Sequence, residues 1–176
     1  MGEPRSVVAE YAGRCAWLSP GQALKLAEVE GGRVLGLHML ADDAEYGGEA
    51  AIRLRQTFDT LCREAGVAGE ITLSTGTIAH EVAARAERAD LLVARLNHPP
   101  GARPREELRS GLRTLLVRAP CPVLTVLART FPARHTVLAH DGSPKAREAI
   151  FVAAYLPCRW PDLELMMVCA HQNLAL

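Results

Sequence analysis

The sequence predicts an α/β protein with a five-stranded parallel sheet flanked by helices, followed by a partial β-α-β repeat. Apolar runs of strand length alternate along the chain with segments of helical spacing, which is the pattern of β-α-β units. The strand segments are continuously apolar, such as SVVA at Ser6–Ala9, and this is typical of parallel strands buried on both faces. The same pattern starts again after Arg129.

Each element follows from local spacing and from the residues that bound it. The clearest helix starts near Glu49, where Leu54, Phe58 and Cys62 recur on one face and Gly66 ends the pattern. The predicted strands are Ser6–Ala9, Val34–Leu40, Glu70–Leu73, Asp90–Ala94 and Val123–Leu127. The other predicted helices cover about Ala16–Val29, Ile78–Ala86 and Leu108–Leu116, and Arg95–Pro104, rich in Pro, Gly and Arg, is predicted to be a loop.

A repeat at the level of whole domains divides the chain. The segment TVLA at Thr136–Ala139 aligns with SVVA at Ser6–Ala9, and Leu163 aligns with Val34 on the following strand. We therefore expect a complete domain over residues 1–130 and a truncated second repeat over residues 131–176. The repeat would contain a strand, a helix at Pro144–Leu156 and a strand at Leu163–Ala170. So short a segment cannot bury enough apolar surface by itself. It must therefore dock on another part of the protein, swap with the same segment of another chain, dimerise, or fray.

Composition limits the partners of the protein. The formal net charge is zero, so no overall field attracts nucleic acid or an anionic membrane. The sequence has no apolar run near the roughly 20 residues of a membrane-spanning helix and no signal peptide at its start, so we expect a cytoplasmic protein. Five cysteines without a CxxC pair argue against a disulfide framework, and Cys121, between two prolines, is interpreted as a packing residue.

Two weak metal patterns are interpreted as structural. His80-Glu81 starts like a zincin motif, but Ala84 stands where the second histidine would be needed. Cys169 and His171 supply two ligands where a structural zinc site needs four. We expect Cys169 to be a buried strand cysteine, and we predict no metal site.

Three motifs together resemble the universal stress protein family. They are AERADLLV at Ala86–Val93, APCPVL at Ala119–Leu124 and VLAHDGS at Val137–Ser143. The resemblance implies a Rossmann-like fold similar to that of the adenine nucleotide alpha hydrolases, with nucleotide held at the carboxyl ends of the strands. It also implies a homodimer, commonly formed through the last strand of the domain, here Val123–Leu127.

The first domain departs from the ATP-binding branch of that family. This branch has an aspartate after strand one and a G-x2-G-x9-G-[ST] motif after strand four, whose glycines let backbone N–H groups approach phosphate. Here Tyr11 stands near the aspartate position, Arg95 at the first glycine, and Arg109-Ser110 at the closing Gly-Ser. The comparison implies a degenerate nucleotide pocket in which only Ser110 is kept.

The second repeat keeps the part of the pattern that the first domain lacks. Asp141, Gly142 and Ser143 match the aspartate motif after strand one. With Ser110, they are the candidate cofactor-binding residues, and no residue is assigned a catalytic role.

The functional expectation is a non-catalytic universal stress protein that acts through dimerisation and through unidentified protein partners, without a cofactor. A first alternative is a regulatory switch that binds ATP or AMP, with Asp141 of one chain and the Arg-rich loop of another forming a composite site. A second alternative is a weak nucleotide hydrolase.

Overall fold

The computed structural model describes residues 6–11, 21–95, 116–126 and 134–169. The chain divides into two compact units, Met1–Thr130 and Phe131–Leu176. Parallel strands alternate with helices, so the predicted α/β class is confirmed. The strands are β1 (Ser6–Tyr11), β2 (Arg33–Met39), β3 (Ala68–Ser74), β4 (Leu91–Arg95), β5 (Val123–Val126), β6 (His135–His140) and β7 (Glu164–Cys169). The helices with described bounds are α1 (Gly21–Glu30), α2 (Glu49–Glu64), α3 (Ile78–Ala86) and α4 (Pro144–Arg159).

The first unit contains a five-stranded parallel sheet in the order β3-β2-β1-β4-β5. The chain moves outward from β1 to β2 and β3, then crosses back to β4 and β5, so the strand order reverses between β1 and β4. Open α/β sheets bind their ligands at such a switch point, beyond the carboxyl ends of the strands. A ligand-binding site is therefore expected at the edge of the sheet where β1 and β4 end.

The two faces of this sheet have separate cores. On one face, α1 and α2 cover β2 and β4, with Ala23, Phe58 and Val93 buried together. On the other face, Val82 of α3 packs with Leu37 and Leu92. Residues 34 and 37 of β2 are both fully buried, on opposite faces. This double burial explains why the strand is continuously apolar.

Helix α2 and its neighbours follow the predicted spacing closely. Leu54, Phe58 and Cys62 are buried as predicted. The backbone passes so near to this helix that a Cβ at Gly36 would lie 2.9 Å from the Phe58 ring, and one at Gly69 would lie 2.5 Å from Cys62 Sγ. Glycine in these two strands thus allows close packing of helix on sheet.

Two local expectations need correction, and one element was not expected. Arg95 was expected in a loop, but its backbone extends β4 and is in register with Val126. The helix of the second unit continues through Pro157 to Arg159 rather than ending at Leu156, because a proline in the last turn removes only one hydrogen bond. A 3₁₀ helix at Asp43–Gly47, started by the Asp42 carboxylate bonding to the N–H of Ala44, was not predicted.

The second unit consists of β6, α4 and β7, with the two strands parallel. Whether this unit is a truncated repeat stays a prediction, but the alignment of its second strand was wrong. Thr136 pairs with Leu165, whereas Ser6 pairs with Arg33, so Leu165 corresponds to Arg33. Leu163, which was aligned within the strand, precedes β7 and is buried.

Burial in β7 also differs from expectation. Cys169 is exposed rather than buried, as is every other residue of β7. In the part of the chain that the structure describes, no helix has the length and apolarity needed to cross a membrane.

Candidate functional site

The switch point of the first sheet brings Tyr11 and Arg95 to the same level of its carboxyl edge. The two strands are in register at Ala9 and Val93, and Tyr11 and Arg95 each lie two residues further on, at the last position of their strands. Tyr11 is also in register with His38 on the other side. The two residues that the sequence singled out as departures from the ATP-binding pattern are thus placed at one point of the fold.

Arg95 has a backbone constraint that a phosphate loop would not have. It lies in β4 in register with Val126 of β5, in extended conformation. A phosphate loop instead needs glycines, which adopt left-handed conformations and leave the N–H groups open to close approach. Ser110, the fourth candidate residue, lies outside the described residues, as does the remainder of the loop predicted after Arg95.

Asp141, Gly142 and Ser143 form the turn between β6 and α4. The Asp141 Oδ1 atom accepts a hydrogen bond of 2.9 Å from the N–H of Ser143. Gly142 has φ +82°, which a residue with a side chain rarely adopts. Ser143 is the N-cap of α4, and its hydroxyl oxygen accepts a bond of 3.1 Å from the N–H of Ala146. The three predicted residues are therefore brought together, and each has a role in starting the helix.

Charge and hydrogen bonding in this turn are linked. Hydrogen bonds from Ser143, first from its side chain and then from its backbone, hold the pKa of the Asp141 carboxyl below its ordinary value. The N–H of Gly142 donates to Nδ1 of His140 at 3.3 Å. The Nε2 atom of His140 is buried and has no hydrogen-bond partner among the described residues.

A second polar cluster lies beyond the carboxyl end of β3. Ser74 Oγ donates to Glu81 Oε2 at 2.6 Å, and Arg85 donates to the same oxygen at 2.7 Å. These two bonds, Ser74 first, lower the pKa of Glu81. Thr75 adds a bond of 2.7 Å from its hydroxyl to Asp43 Oδ1. Sequence reasoning missed this cluster, although the spacing of Glu81 and Arg85, one helical turn apart, was a signal for their ion pair.

His38 is the titratable group nearest to the switch point on β2. Burial lowers the pKa of its imidazole, and the charge of Glu45 acts in the opposite direction. The neutral form is therefore favoured at pH 7.

The cysteine and metal interpretations can be compared with the described part of the molecule. Cys121 packs beside Leu37, Val82 and Leu92, as expected for a packing residue, and burial raises the pKa of its thiol. Within residues 6–11, 21–95, 116–126 and 134–169, no group of three or more His, Cys, Asp or Glu side chains is arranged to hold a metal ion. Glu81, part of the rejected zincin pattern, bonds to Ser74 and Arg85 instead.

Comparison with solved structures places this arrangement among known folds. A universal stress protein solved in complex with cAMP superposes with a TM-score of 0.52 at 18% sequence identity, covering 73% of this chain and 100% of that protein. This chain has the fold of the universal stress proteins. A protein of unknown function from Pseudomonas aeruginosa PAO1 matches 94% of this chain with a TM-score of 0.64 and 17% identity. This chain spans 60% of that longer structure.

The comparison confirms the resemblance that the three motifs indicated. No sequence profile of a protein family matches the chain, and no curated protein does. Open α/β sheets bind ligands beyond the carboxyl ends of their strands, and Tyr11 and Arg95 are the last residues of two neighbouring strands at that edge.

Proposed function

We propose that this chain is a non-catalytic stress-response protein of the universal stress protein type, which acts through dimerisation and binding to other proteins. Its first unit does not hold ATP in the manner of the nucleotide-binding members. The observation that supports this is the placement of Tyr11 and Arg95 at the ends of β1 and β4, the positions of the aspartate and the first glycine in those members.

The physical argument concerns the backbone at the switch point. An aspartate there would accept hydrogen bonds from a nucleotide, and a tyrosine at this position brings no carboxylate. A phosphate-binding loop needs residues that adopt the left-handed conformation and let backbone N–H groups approach the phosphate closely. An arginine in a paired strand provides neither. Both halves of the expected site are thus altered at the same place.

Analysis of nucleotide carried by the native protein tests this proposal. We expect heat-denatured protein to release less than about one tenth of an equivalent of adenine nucleotide, and ATP to give no dose-dependent rise in melting temperature. The cAMP-bound neighbour motivates including cAMP and AMP in the same titration. Stoichiometric ATP or AMP in the supernatant would contradict the proposal.

Dimerisation is proposed to occur through β5, the edge strand of the first sheet. The N–H of Leu92 bonds to the carbonyl of Pro122, so in a parallel ladder Leu124 and Val126 bond to β4, while Val123 and Thr125 direct their backbone groups outward. Among the strands that the structure describes, none pairs with this edge, and an edge of this kind is available for pairing with another chain.

A proline substitution tests the β5 edge without disturbing its pairing to β4. Thr125→Pro removes an outward N–H, and we expect it to prevent dimerisation through β5. Thr125→Val keeps the N–H and is the matched control. If Thr125→Pro and Thr125→Val associate equally in light scattering, the proposed use of β5 is wrong.

A nucleotide switch that uses the second unit is the other candidate. The exposed Asp141 carboxylate favours it, since this residue lies just beyond the carboxyl end of β6, beside a glycine in the left-handed region. Against it, Ser143 and Gly142 already donate their N–H groups to Asp141 and His140. If Asp141→Ala abolishes measurable AMP or ATP binding while Asp162→Ala, an exposed control in the same unit, keeps it, this candidate replaces the first.

A further inference from the structure

The face of the first sheet that α1 and α2 cover changes character in its last row. Residues in register on parallel strands share a face, so the strand pairings define this face row by row. Val34, Val93 and Val126 belong to it and lie in the core formed with α1 and α2. Before the last row, the positions of this face are apolar residues or glycine: Val7, Ala9, Val34, Gly36, Gly69, Ile71, Leu91, Val93 and Leu124.

The last row, at the carboxyl edge, has three polar residues on neighbouring strands. Tyr11 is in register with His38, and Arg95 lies at the level of Tyr11, two residues beyond the pairing of Ala9 with Val93. Their strands β2, β1 and β4 are the three central strands of the sheet. We call Tyr11, His38 and Arg95 the edge row. Polarity thus begins on three strands at one level, and this level is the switch point at which open α/β sheets bind ligands.

The edge row lies at the margin of the core rather than beyond it. Leu73 on β3 and Val126 on β5 continue the same level on either side, and they are only 5% and 3% exposed. His38 is half-buried, and burial lowers the pKa of its imidazole. Interactions with a charge are stronger in such a partly desolvated place than in water.

The residue types of the edge row are rich in hydrogen-bond donors. An arginine has five N–H donors and a permanent positive charge, and a tyrosine hydroxyl and a neutral imidazole each donate one hydrogen bond. The planar guanidinium matches the two oxygens of a carboxylate or of a phosphate. The charge of Glu45 acts on His38, and Oε2 of Glu45 accepts the N–H of Ala41 at 3.0 Å. A negative charge at this margin favours a ligand of low charge over a triphosphate.

We propose that the edge row binds a small oxyanion, a carboxylate or a phosphate group, through Tyr11, His38 and Arg95. Such a site uses side-chain donors in place of the backbone N–H groups of a glycine loop. It requires neither ATP binding nor dimerisation. If oxyanion binding fails, the proposal that the first unit does not hold ATP still stands, whereas stoichiometric ATP in the native protein would contradict that proposal alone.

NMR titrations of the full chain with inorganic phosphate, with acetate and with sodium chloride, at constant ionic strength, test the site. We expect phosphate or acetate, but not chloride, to shift the backbone amide signals of Tyr11, His38 and Arg95. These shifts should saturate with a dissociation constant of about 0.1–10 mM, as is reasonable for a ligand of so few atoms. The oxyanion that binds more tightly identifies the chemical class of the ligand.

Variants of the edge row test which residues hold the anion. Arg95→Gln is expected to raise the dissociation constant by about tenfold or more, because both the charge and the planar fork are lost. Arg95→Lys keeps the charge alone and should have an intermediate effect. Tyr11→Phe removes only a hydroxyl group and should raise the constant by about threefold or more. Arg55→Gln is the matched control, because Arg55 is an exposed arginine of α2, and it should bind as the unaltered chain does.

Two results would overturn the proposal. One is the absence of saturable shifts with both phosphate and acetate. The other is an Arg95→Gln variant that keeps the amide spectrum of a folded protein and binds as tightly as Arg55→Gln. If Arg95→Gln does not fold, the same comparison is made between Tyr11→Phe and Arg55→Gln, and equal binding by these two variants is the contrary result.

Discussion

Replacing Gly36 by alanine probes the contact between sheet and helix on which the first unit depends. A Cβ at Gly36 would lie 2.9 Å and 3.2 Å from two atoms of the Phe58 ring and 3.1 Å from Ile71 Cγ1. Phe58 is buried among α1, α2 and the sheet, so its ring cannot move into solvent. The added methyl group must therefore displace the helix, the ring or the strand.

The size of the effect follows from two opposing terms. Overpacking a core by a methyl group costs about 1–3 kcal/mol. Alanine loses less backbone entropy than glycine on folding, which returns about 0.5–1 kcal/mol. We expect Gly36→Ala to lower the free energy of unfolding by about 1–2 kcal/mol, equivalent to about 0.5–1 M in the urea midpoint.

Urea denaturation followed by far-ultraviolet circular dichroism measures this change. Gly47→Ala is the matched control, because a Cβ there has nothing within 4 Å, and we expect it to change stability by less than about 0.5 kcal/mol. Phe58→Leu should restore part of the loss caused by Gly36→Ala, with a coupling energy of about 1 kcal/mol. If Gly36→Ala behaves like Gly47→Ala, or if the two core changes add without coupling, the packing described for β2 and α2 is wrong.

Three other predictions concern the polar groups. Glu81→Gln should lower the free energy of unfolding by about 0.5–1.5 kcal/mol in urea denaturation, because the oxygen that accepts from Ser74 loses its charge. Ser143→Ala should remove the N-cap of α4 and raise the pKa of Asp141 toward 3.8. An NMR titration of the Asp141 carboxylate measures this pKa. An unchanged value would contradict the role of Ser143. Burial holds the pKa of His38 in the folded protein below its ordinary value of 6.5, so the unfolded chain binds a proton more readily than the folded one. The free energy of unfolding should therefore fall as the pH drops below 6.5. Urea denaturation at several pH values measures this dependence, and His38→Gln should flatten it.

Much of the first unit could be predicted because its hydrophobic pattern and its packing agree. The faces of β2 are both buried, so a continuous apolar run predicted the strand, and the four-residue spacing on α2 predicted the side chains that cover it. Element ends were less predictable. Arg95 looked like the start of a loop because Pro and Gly follow it, yet pairing to β5 extends the strand, and pairing is a tertiary effect that local composition does not contain.

The candidate site was predictable only in part. The Asp141-Gly142-Ser143 motif was found from its residue types, and the same types explain its structure, since a side-chain acceptor, a left-handed glycine and an N-cap serine are what a strand-to-helix turn requires. A motif of this kind therefore does not separate a ligand contact from a helix start. That Tyr11 and Arg95 end neighbouring strands at the same edge of the sheet depends on strand order, because the two residues lie far apart in sequence.

The two β-α-β segments of this chain show why a buried-looking strand does not identify what buries it. β2 and β7 are both apolar and both pair in parallel with the strand that precedes them, yet Leu37 is fully buried whereas Met166 is 63% exposed. The difference lies in the covering elements, since Val82 of α3 packs with Leu37 in the first unit, whereas every residue of β7 is exposed. An apolar run thus predicts a strand, but it does not contain the tertiary packing that decides whether the strand is covered.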